Sequence, residues 1–385
     1  MKLWQYGLAA SCALWVGVAT AEEKIQPTQI PITPVTDSQV RDAVERGLTW
    51  LVKVQGNDGG WGQDGGDKSF VRNGERLESN GNDVANTCVA ALALLRSGNT
   101  PDKGEHREAL QKAIEFVLRS IEESQTDGLA LKTPGNTQIQ RKLGPYIDTF
   151  LASMLLSELD GEMGNAKANA RVRVALERVV AKIEKNQQTD GSWNIAGGWA
   201  PILCTSIASR SLNMAAGKGV RVSNDVAKKV DEYTKNSLKP GSKEATSSTA
   251  ASAGVELYVV AQQREQLSRT ENDRAANANE LRALDTKLAK PAVQAGFGSM
   301  GGEEFFSYLN VSDSLCRTGG EPWVKWNNDI KARLVKLQNN DGTWAGHHCI
   351  TGRVACTGAA ILTMQAEKAP ATVAVITKEI KPGKK

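Results

Sequence analysis

The chain has 385 residues, of which 40% are hydrophobic and 23% charged, values ordinary for a folded protein with a sizeable core. The formal net charge is +4, and the residues after Pro370 carry four lysines against one glutamate. The rest of the chain is therefore close to neutral, which excludes an extended nucleic-acid-binding surface.

The N-terminus predicts an export signal. Lys2 precedes a largely apolar run over residues 3–18, and the small residues 19–21 precede two glutamates, so we predict a signal peptide over residues 1–21. An uncleaved membrane anchor is the alternative, and it would be the chain's only predicted membrane contact. The predicted location is the periplasm or the cell exterior. Residues 22–36, rich in proline, are predicted to form an extended linker.

The next segment has the spacing of an amphipathic helix that ends in a turn. Thr36 and Gln39 offer a capping box at its start. Apolar residues then recur on one helical face, at Val40, Ala43, Val44, Leu48, Leu51 and Val54. The helix is predicted to end at Asp58-Gly59, because glycine readily adopts the positive φ that such turns need.

Three such turns share the pattern Gln-x-x-Asp-Gly-x-Trp. The three copies are Gln55, Asp58, Gly59 and Trp61; Gln187, Asp190, Gly191 and Trp193; and Gln338, Asp341, Gly342 and Trp344. A fourth copy keeps Asp127-Gly128 but lacks the first Gln and the Trp. The intervals between the Asp residues are 69, 63 and 151, the last about twice the others. This recurrence indicates stacked supersecondary units.

Segments of small and hydroxyl residues alternate with the charged amphipathic ones, as at residues 86–92, 204–209 and 356–362. Helices of that composition suit a crowded interior where backbones approach closely. The alternation predicts an all-α fold over residues 37–365, an α/α toroid (a double ring of helices) of about five to six helical hairpins. Residues 262–290 are predicted to be a charged, solvated helical insertion or a partner-binding arm, and residues 366–385 a basic flexible tail.

The repeated motif resembles the QW repeat of squalene and oxidosqualene cyclases, which protein prenyltransferase β subunits share loosely. The resemblance covers about residues 37–365, with a degenerate stretch at 225–300, and implies a toroid in which Gln and Trp tie adjacent repeats together. The Asp-x-Asp-Asp acid motif of the cyclases and the Gly-Cys-Gly-Glu-Gln segment of thioester domains are both absent from the sequence. Aromatic residues make up only 5% of the chain, which disfavours carbocation stabilisation by aromatic faces.

Residues 313–356 resemble the zinc-binding residues of the prenyltransferases. In that family an Asp, a nearby Cys and a downstream His hold the metal. The resemblance implies a zinc site of Asp313, Cys316 and His348 or its neighbour His347, with all four as candidate catalytic residues. The spacing Asp-x-x-Cys and the short interval to the histidines depart from the family. A disulfide such as Cys316–Cys349, with the histidines in ordinary hydrogen bonds, is the alternative in an oxidising compartment.

Further candidates are predicted to line a central cavity. Asp83 and Asp148 stand at the starts of two interior helices, where the alternative role is helix capping. Arg317, Cys349 and Arg353 flank the predicted zinc residues and are also expected in the cavity. The two arginines could bind an anionic group or form ion pairs with Asp83 and Asp148.

These features predict an exported toroid that binds a small-molecule, lipid or protein ligand of unknown identity in its central cavity, with no nucleic-acid partner. The first alternative is a zinc-dependent, prenyltransferase-like enzyme that uses Asp313, Cys316 and the two histidines. The second is an exported polysaccharide lyase or hydrolase, for which Asp83 and Asp148 would supply a carboxylate pair.

Overall fold

A computed structural model describes residues 33–64, 81–132, 137–195, 201–237, 253–296, 302–347 and 350–369. The predicted signal peptide, residues 22–32 of the linker, the tail from residue 370, and His348 and Cys349 lie outside these ranges. Within them the protein is all-helical, as predicted, with fifteen α-helices and no β-strand. None of the described helices has both the length and the apolar character needed to cross a membrane.

The helices are, in chain order, α1 (Asp37–Lys53), α2 (Val84–Arg96), α3 (Arg107–Glu122), α4 (Gln138–Leu143), α5 (Ile147–Leu159), α6 (Ala166–Lys185), α7 (Pro201–Gly217), α8 (Asn224–Ser237), α9 (Ala253–Leu267), α10 (Glu271–Ala276), α11 (Ala278–Leu288), α12 (Pro291–Gln294), α13 (Glu303–Thr318), α14 (Gly320–Leu337) and α15 (Arg353–Met364). A short 3₁₀-helix, Ala366–Lys368, follows α15, so the first residues of the predicted tail are folded.

Five amphipathic helices, α1, α3, α6, α8 and α14, form the periphery and are called the peripheral helices below. Helix α1 begins as the sequence predicts, because the Thr36 hydroxyl accepts a hydrogen bond from Gln39 N at 3.3 Å while Gln39 Oε1 accepts one from Thr36 N at 2.9 Å. Each peripheral helix buries an apolar stripe and exposes its charged face, as α3 does with Leu110, Ile114 and Val117.

Six helices, α2, α5, α7, α9, α13 and α15, form the core and are called the buried helices below. All thirteen residues of α5 are buried. Successive buried helices contact each other, from α2 to α5 and onward to α15, and α15 contacts α2. Gly358 of α15 lies so close to α2 that a Cβ there would come within 3.0 Å of Val89 O. Small residues therefore permit the close backbone approach.

The three motif tryptophans make the same pair of hydrogen bonds. The indole N–H donates at 2.8 Å to a carbonyl of the preceding peripheral helix, on Leu51, Ile183 or Leu334. The tryptophan backbone N–H donates at 2.9–3.2 Å to a threonine hydroxyl of a buried helix, on Thr87, Thr205 or Thr357. Each turn thus fixes a peripheral helix to a buried one.

The motif glutamines connect neighbouring peripheral helices. Each side-chain amide donates to the motif's own glycine carbonyl and, at 2.7–3.0 Å, to a carbonyl of another peripheral helix, on Ala109, Val226 or Ala43. The third glutamine, Gln338 at the end of α14, therefore bonds α1, 295 residues earlier in the chain.

The fourth, degenerate turn uses a different donor. Lys182 of α6 is buried, and its ammonium donates to the carbonyls of Gly128 at 3.0 Å, Ala130 at 3.2 Å and Gln125. Thr149 of α5 donates to the Leu129 carbonyl at 2.6 Å. A lysine from the next helix thus replaces the missing glutamine.

The prediction of a solvated charged helix at residues 262–290 is wrong for residues 262–268, which are buried. Most of these residues belong to α9, which packs against α7 and α13. Some of their polar groups bond other helices, as when Gln262 donates to Thr234 Oγ1 at 2.8 Å and Arg264 pairs with Asp285 at 3.1 Å. The following residues form the short helices α10 and α11, which are mostly exposed, although α11 buries its apolar side against the core.

We predict that Gly59→Ala destabilises the protein by more than Gly128→Ala. Both glycines have φ near +90°, so both alanines carry the same cost of a left-handed conformation, about 1–2 kcal/mol. Only at Gly59 would the new Cβ overlap a backbone carbonyl, that of Lys112 in α3, whereas nothing lies within 4 Å at Gly128. Chemical denaturation of both variants measures the difference, and equal losses would contradict the close approach of this turn to α3.

Candidate functional site

The predicted site residues lie at two opposite ends of the buried helices. Asp83, Asp148 and Arg353 lie at the amino-terminal ends of α2, α5 and α15. Asp313, Cys316 and Arg317 lie in the carboxyl-terminal part of α13. The two groups therefore belong to different environments, which are described in turn.

At the amino-terminal end, Asp83 and Asp148 are both nearly inaccessible, with 6% and 5% of their surface exposed. Asp83 caps α2, because its carboxylate accepts from Asn86 N and Asn86 Nδ2, both at 2.8 Å. The Asp148 carboxylate accepts from Gln140 Nε2 at 2.9 and 3.1 Å. The capping role weighed for Asp83 is therefore present.

The two carboxyl groups act on each other. Burial is the main cause that raises the pKa of Asp83 to about 6 and that of Asp148 to about 7, and the charge of Asp83 raises the pKa of Asp148 further. Lys132 opposes both shifts. Asp83 and Asp148 are thus close enough for a strong electrostatic interaction, as expected of adjacent helix starts.

Arg353 at this end is held by contacts with other segments. It is buried and pairs with Asp64 at 3.3 Å and Asp341 at 3.2 Å, with its guanidinium 5.1 Å from the centre of the Trp50 ring. Gln63 O accepts from Val354 N at 3.2 Å. Arg353 therefore forms ion pairs with carboxylates, and its place in a ligand-binding cavity stays a prediction.

Among the described residues, His347 is not brought together with Asp313 and Cys316, and the other predicted ligand, His348, lies outside them. His347 is exposed at the amino-terminal end, where its neighbour Gly346 packs so tightly that a Cβ there would lie 2.9 Å from Gly302 Cα. Asp313 follows ten residues after the start of α13, about 15 Å along the helix axis. Cys316 lies one turn further on, half-buried, and its thiol is free, as are those of Cys88, Cys204 and Cys356.

An accessible cavity with a volume of about 330 Å³ lies at the carboxyl-terminal end and is called the carboxyl-end cavity below. Its charged lining consists of Arg96, Arg210, Arg274, Arg317, Asp313 and Glu367. The remaining lining is small or apolar, from Met214, Cys316, Ala366 and Ala369. The cavity therefore contains three of the predicted site residues, Asp313, Cys316 and Arg317.

Asp313 is the counter-ion of two arginines from other helices. It accepts from Arg96 of α2 at 3.3 Å and from Arg210 of α7, and it is 2% exposed. Arg96 also donates twice to Glu158 of α5, at 2.7 and 3.0 Å. Asp313 therefore takes part in ion pairs in the described structure, and its role as a zinc ligand stays a prediction.

The guanidinium charge in this cavity is costly to maintain. Burial is the main cause that lowers the pKa of Arg210 to about 9, and the neighbouring Arg96 and Arg317 lower it further, against the opposing effect of Glu265 and Glu158. Glu265 pairs with Arg317 at 2.7 Å. An anion bound in the cavity would stabilise the charged form of Arg210.

The sequence did not point to Arg96, Arg210 and Arg274 as site residues, nor to Glu158 and Glu265, which pair with the arginines of the cavity. A signal was present for two of these arginines, because Arg96 and Arg210 occur in segments otherwise made of small and apolar residues. A charged side chain there is either satisfied by a partner across the core or functional. The acidic partners of these arginines lie on helices far away in the sequence, so they could not be predicted from local sequence patterns.

No protein-family model and no curated protein matches the chain.

We predict that Asp148→Asn makes the folded state less sensitive to pH. The pKa of Asp148 is raised in the folded protein, so the native state retains a proton that the unfolded chain loses, and stability decreases as pH rises from about 4 to 7. The change in the free energy of unfolding caused by Asp148→Asn should therefore be more favourable at pH 8 than at pH 5, by roughly 2–4 kcal/mol. Urea denaturation at both pH values measures the effect.

Asp42→Asn, which removes an exposed carboxyl from α1, is the matched control and should leave the pH dependence unchanged. The raised pKa of Asp148 would be contradicted if the free energy of unfolding of the wild type rose between pH 5 and pH 8 and Asp148→Asn showed the same rise.

Proposed function

We propose that this protein is an exported α/α toroid that binds a small anionic molecule in the carboxyl-end cavity. The observation that carries the proposal is the convergence of Arg96, Arg210, Arg274 and Arg317 on one accessible cavity of about 330 Å³. Pockets of this size are typical of small-molecule sites.

The toroid is supported by the order of the helix contacts. Each buried helix contacts the next, α15 contacts α2, and the third motif glutamine joins the last peripheral helix to the first. A closed inner ring with a peripheral ring around it accounts for all of these contacts. The resemblance of the three motifs to QW repeats favours the same arrangement.

An anionic ligand is supported by the donors that line the cavity. Arg317 pairs with Glu265 at 2.7 Å through one terminal nitrogen, and 16% of its side chain remains exposed. Arg274 donates to the Ser268 carbonyl at 3.3 Å and reaches only the exposed Glu271, at 3.9 Å. These two arginines at the mouth have donors available for a carboxylate or a phosphate.

The charge balance is consistent with one anionic group. Glu158 and Glu265 neutralise Arg96 and Arg317 from behind, and Asp313 is shared between Arg96 and Arg210. Glu367, the other carboxylate of the lining, pairs with Lys331 at 3.2 Å, so the four arginines face three further carboxylates. The negative ends of the helix dipoles act mainly within the last turn of each helix. Arg210 lies seven residues before the end of α7, and Arg274 lies on α10, which is not one of the buried helices. Neither arginine is therefore needed to compensate the dipole at the carboxyl end of a buried helix.

The small and apolar lining indicates the rest of the ligand. Met214, Cys316 and Ala366 offer a short apolar surface beside the arginines. The lining described here contains no aromatic ring, so it lacks the carbocation-stabilising faces that cyclisation of a terpene requires. We therefore propose a small molecule with one carboxylate or phosphate and a short apolar part.

The test is anion binding by the purified chain and by arginine variants. Butyl phosphate and hexanoate, screened at low ionic strength, should raise the melting temperature. Arg317→Gln should weaken binding about tenfold or more, because a lost charge-assisted hydrogen bond removes about 1.5–3 kcal/mol. Arg274→Gln should weaken it comparably. Isothermal titration calorimetry measures both affinities.

Arg282→Gln is the control, since this exposed arginine of α11 bonds only Asn279 in the described structure and lies away from the cavity. An equal loss in the control, or binding of neither anion by the wild type, would overturn the proposed anion site.

A further inference from the structure

A second group of charged side chains lies on the outside of the peripheral helices. Glu45 of α1, and Glu105 and His106 immediately before α3, each offer one ligand atom, and these atoms lie within 4.8 Å of one another. Among the described residues they are the one group of three acidic, histidine or cysteine side chains that meets this distance. His106 Nε2 is 3.9 Å from Glu45 Oε1.

The backbone that presents these side chains is held on both sides. His106 N donates to Asn99 Oδ1 at 2.8 Å, and Asn99 Nδ2 donates in turn to Leu94 O at 2.9 Å. Helix α1, which carries Glu45, is joined to α3 by the Gln55 amide, which donates to Ala109 O at 2.8 Å. The three side chains are therefore anchored on elements that other contacts already fix relative to each other.

The ligand types select the metal. Two carboxylates and one imidazole, with a water molecule as the fourth ligand, match the coordination of an open zinc site, whereas calcium and magnesium prefer oxygen ligands alone. Zinc bonds of about 2.0–2.2 Å place tetrahedral ligand atoms about 3.4 Å apart. Glu45 has 58% of its side chain exposed, so it is free to close the small remaining gap to His106.

We infer that Glu45, Glu105 and His106 bind one zinc ion, which joins the first peripheral helix to the segment that starts the second. The two carboxylates balance the charge of the ion, and His106 supplies a ring nitrogen. This site lies outside the carboxyl-end cavity and does not depend on the proposed function. It also uses none of the residues 313–348 that the sequence implied for zinc.

The experiment is zinc binding by the full chain after treatment with a chelator. Equilibrium dialysis against zinc should give one bound ion per chain, and added zinc should raise the melting temperature. His106→Ala and Glu45→Gln should each weaken binding at least tenfold. Both side chains lie at the surface or near it, and Glu45→Gln is a small change at an exposed position, so at least this variant is expected to fold as the wild type does.

Two control variants locate the ion. Glu108→Gln removes an exposed carboxylate in the first turn of α3, and His347→Ala removes an exposed imidazole elsewhere. Both should bind zinc as the wild type does. The inference is overturned if His106→Ala and Glu45→Gln bind zinc with unchanged affinity, if His347→Ala abolishes binding, or if calcium binds as tightly as zinc.

Discussion

The structure depends on one turn, repeated three times, that holds three helices together with side-chain amides and indoles. In each copy the indole N–H bonds the helix before the turn, the tryptophan backbone N–H bonds a threonine of a buried helix, and the glutamine amide bonds a second peripheral helix. Each bond contributes only about 1 kcal/mol net, but the tryptophan donors are buried, so losing their partners costs more. These bonds set the spacing of the helices on which both candidate sites lie.

The buried helices carry charges of both signs at each end. Asp83 and Asp148 lie at the amino-terminal ends, as Arg353 does. In the carboxyl-terminal parts, arginines such as Arg96 are paired with carboxylates such as Glu158. Buried ion pairs such as Arg96–Glu158 add little stability over apolar packing, so their presence around a cavity favours a role in binding.

Much of the local structure was predictable because it depends on neighbours in the chain. The capping box of Thr36 and Gln39, the positive-φ glycines of the motif turns and the alternation of amphipathic with small-residue helices all follow from short-range spacing. Residues 262–268 were misjudged because polar side chains usually indicate solvent exposure. Here Thr234, Asp285 and Arg317, from other helices, satisfy polar side chains of this segment inside the core.

The sequence by itself determined the helical class, the turn positions and the residues that join the repeats, because hydrophobic period and turn chemistry are local properties. Only the tertiary structure decided which functional side chains meet. Asp313 and His347 are 34 residues apart in the chain, yet the straight axis of α13 places them at opposite ends of the core. Arg96, Arg210 and Asp313 are far apart in sequence, and they lie on α2, α7 and α13, which alternate in the series of helix contacts. They meet because their side chains extend towards one another across the core.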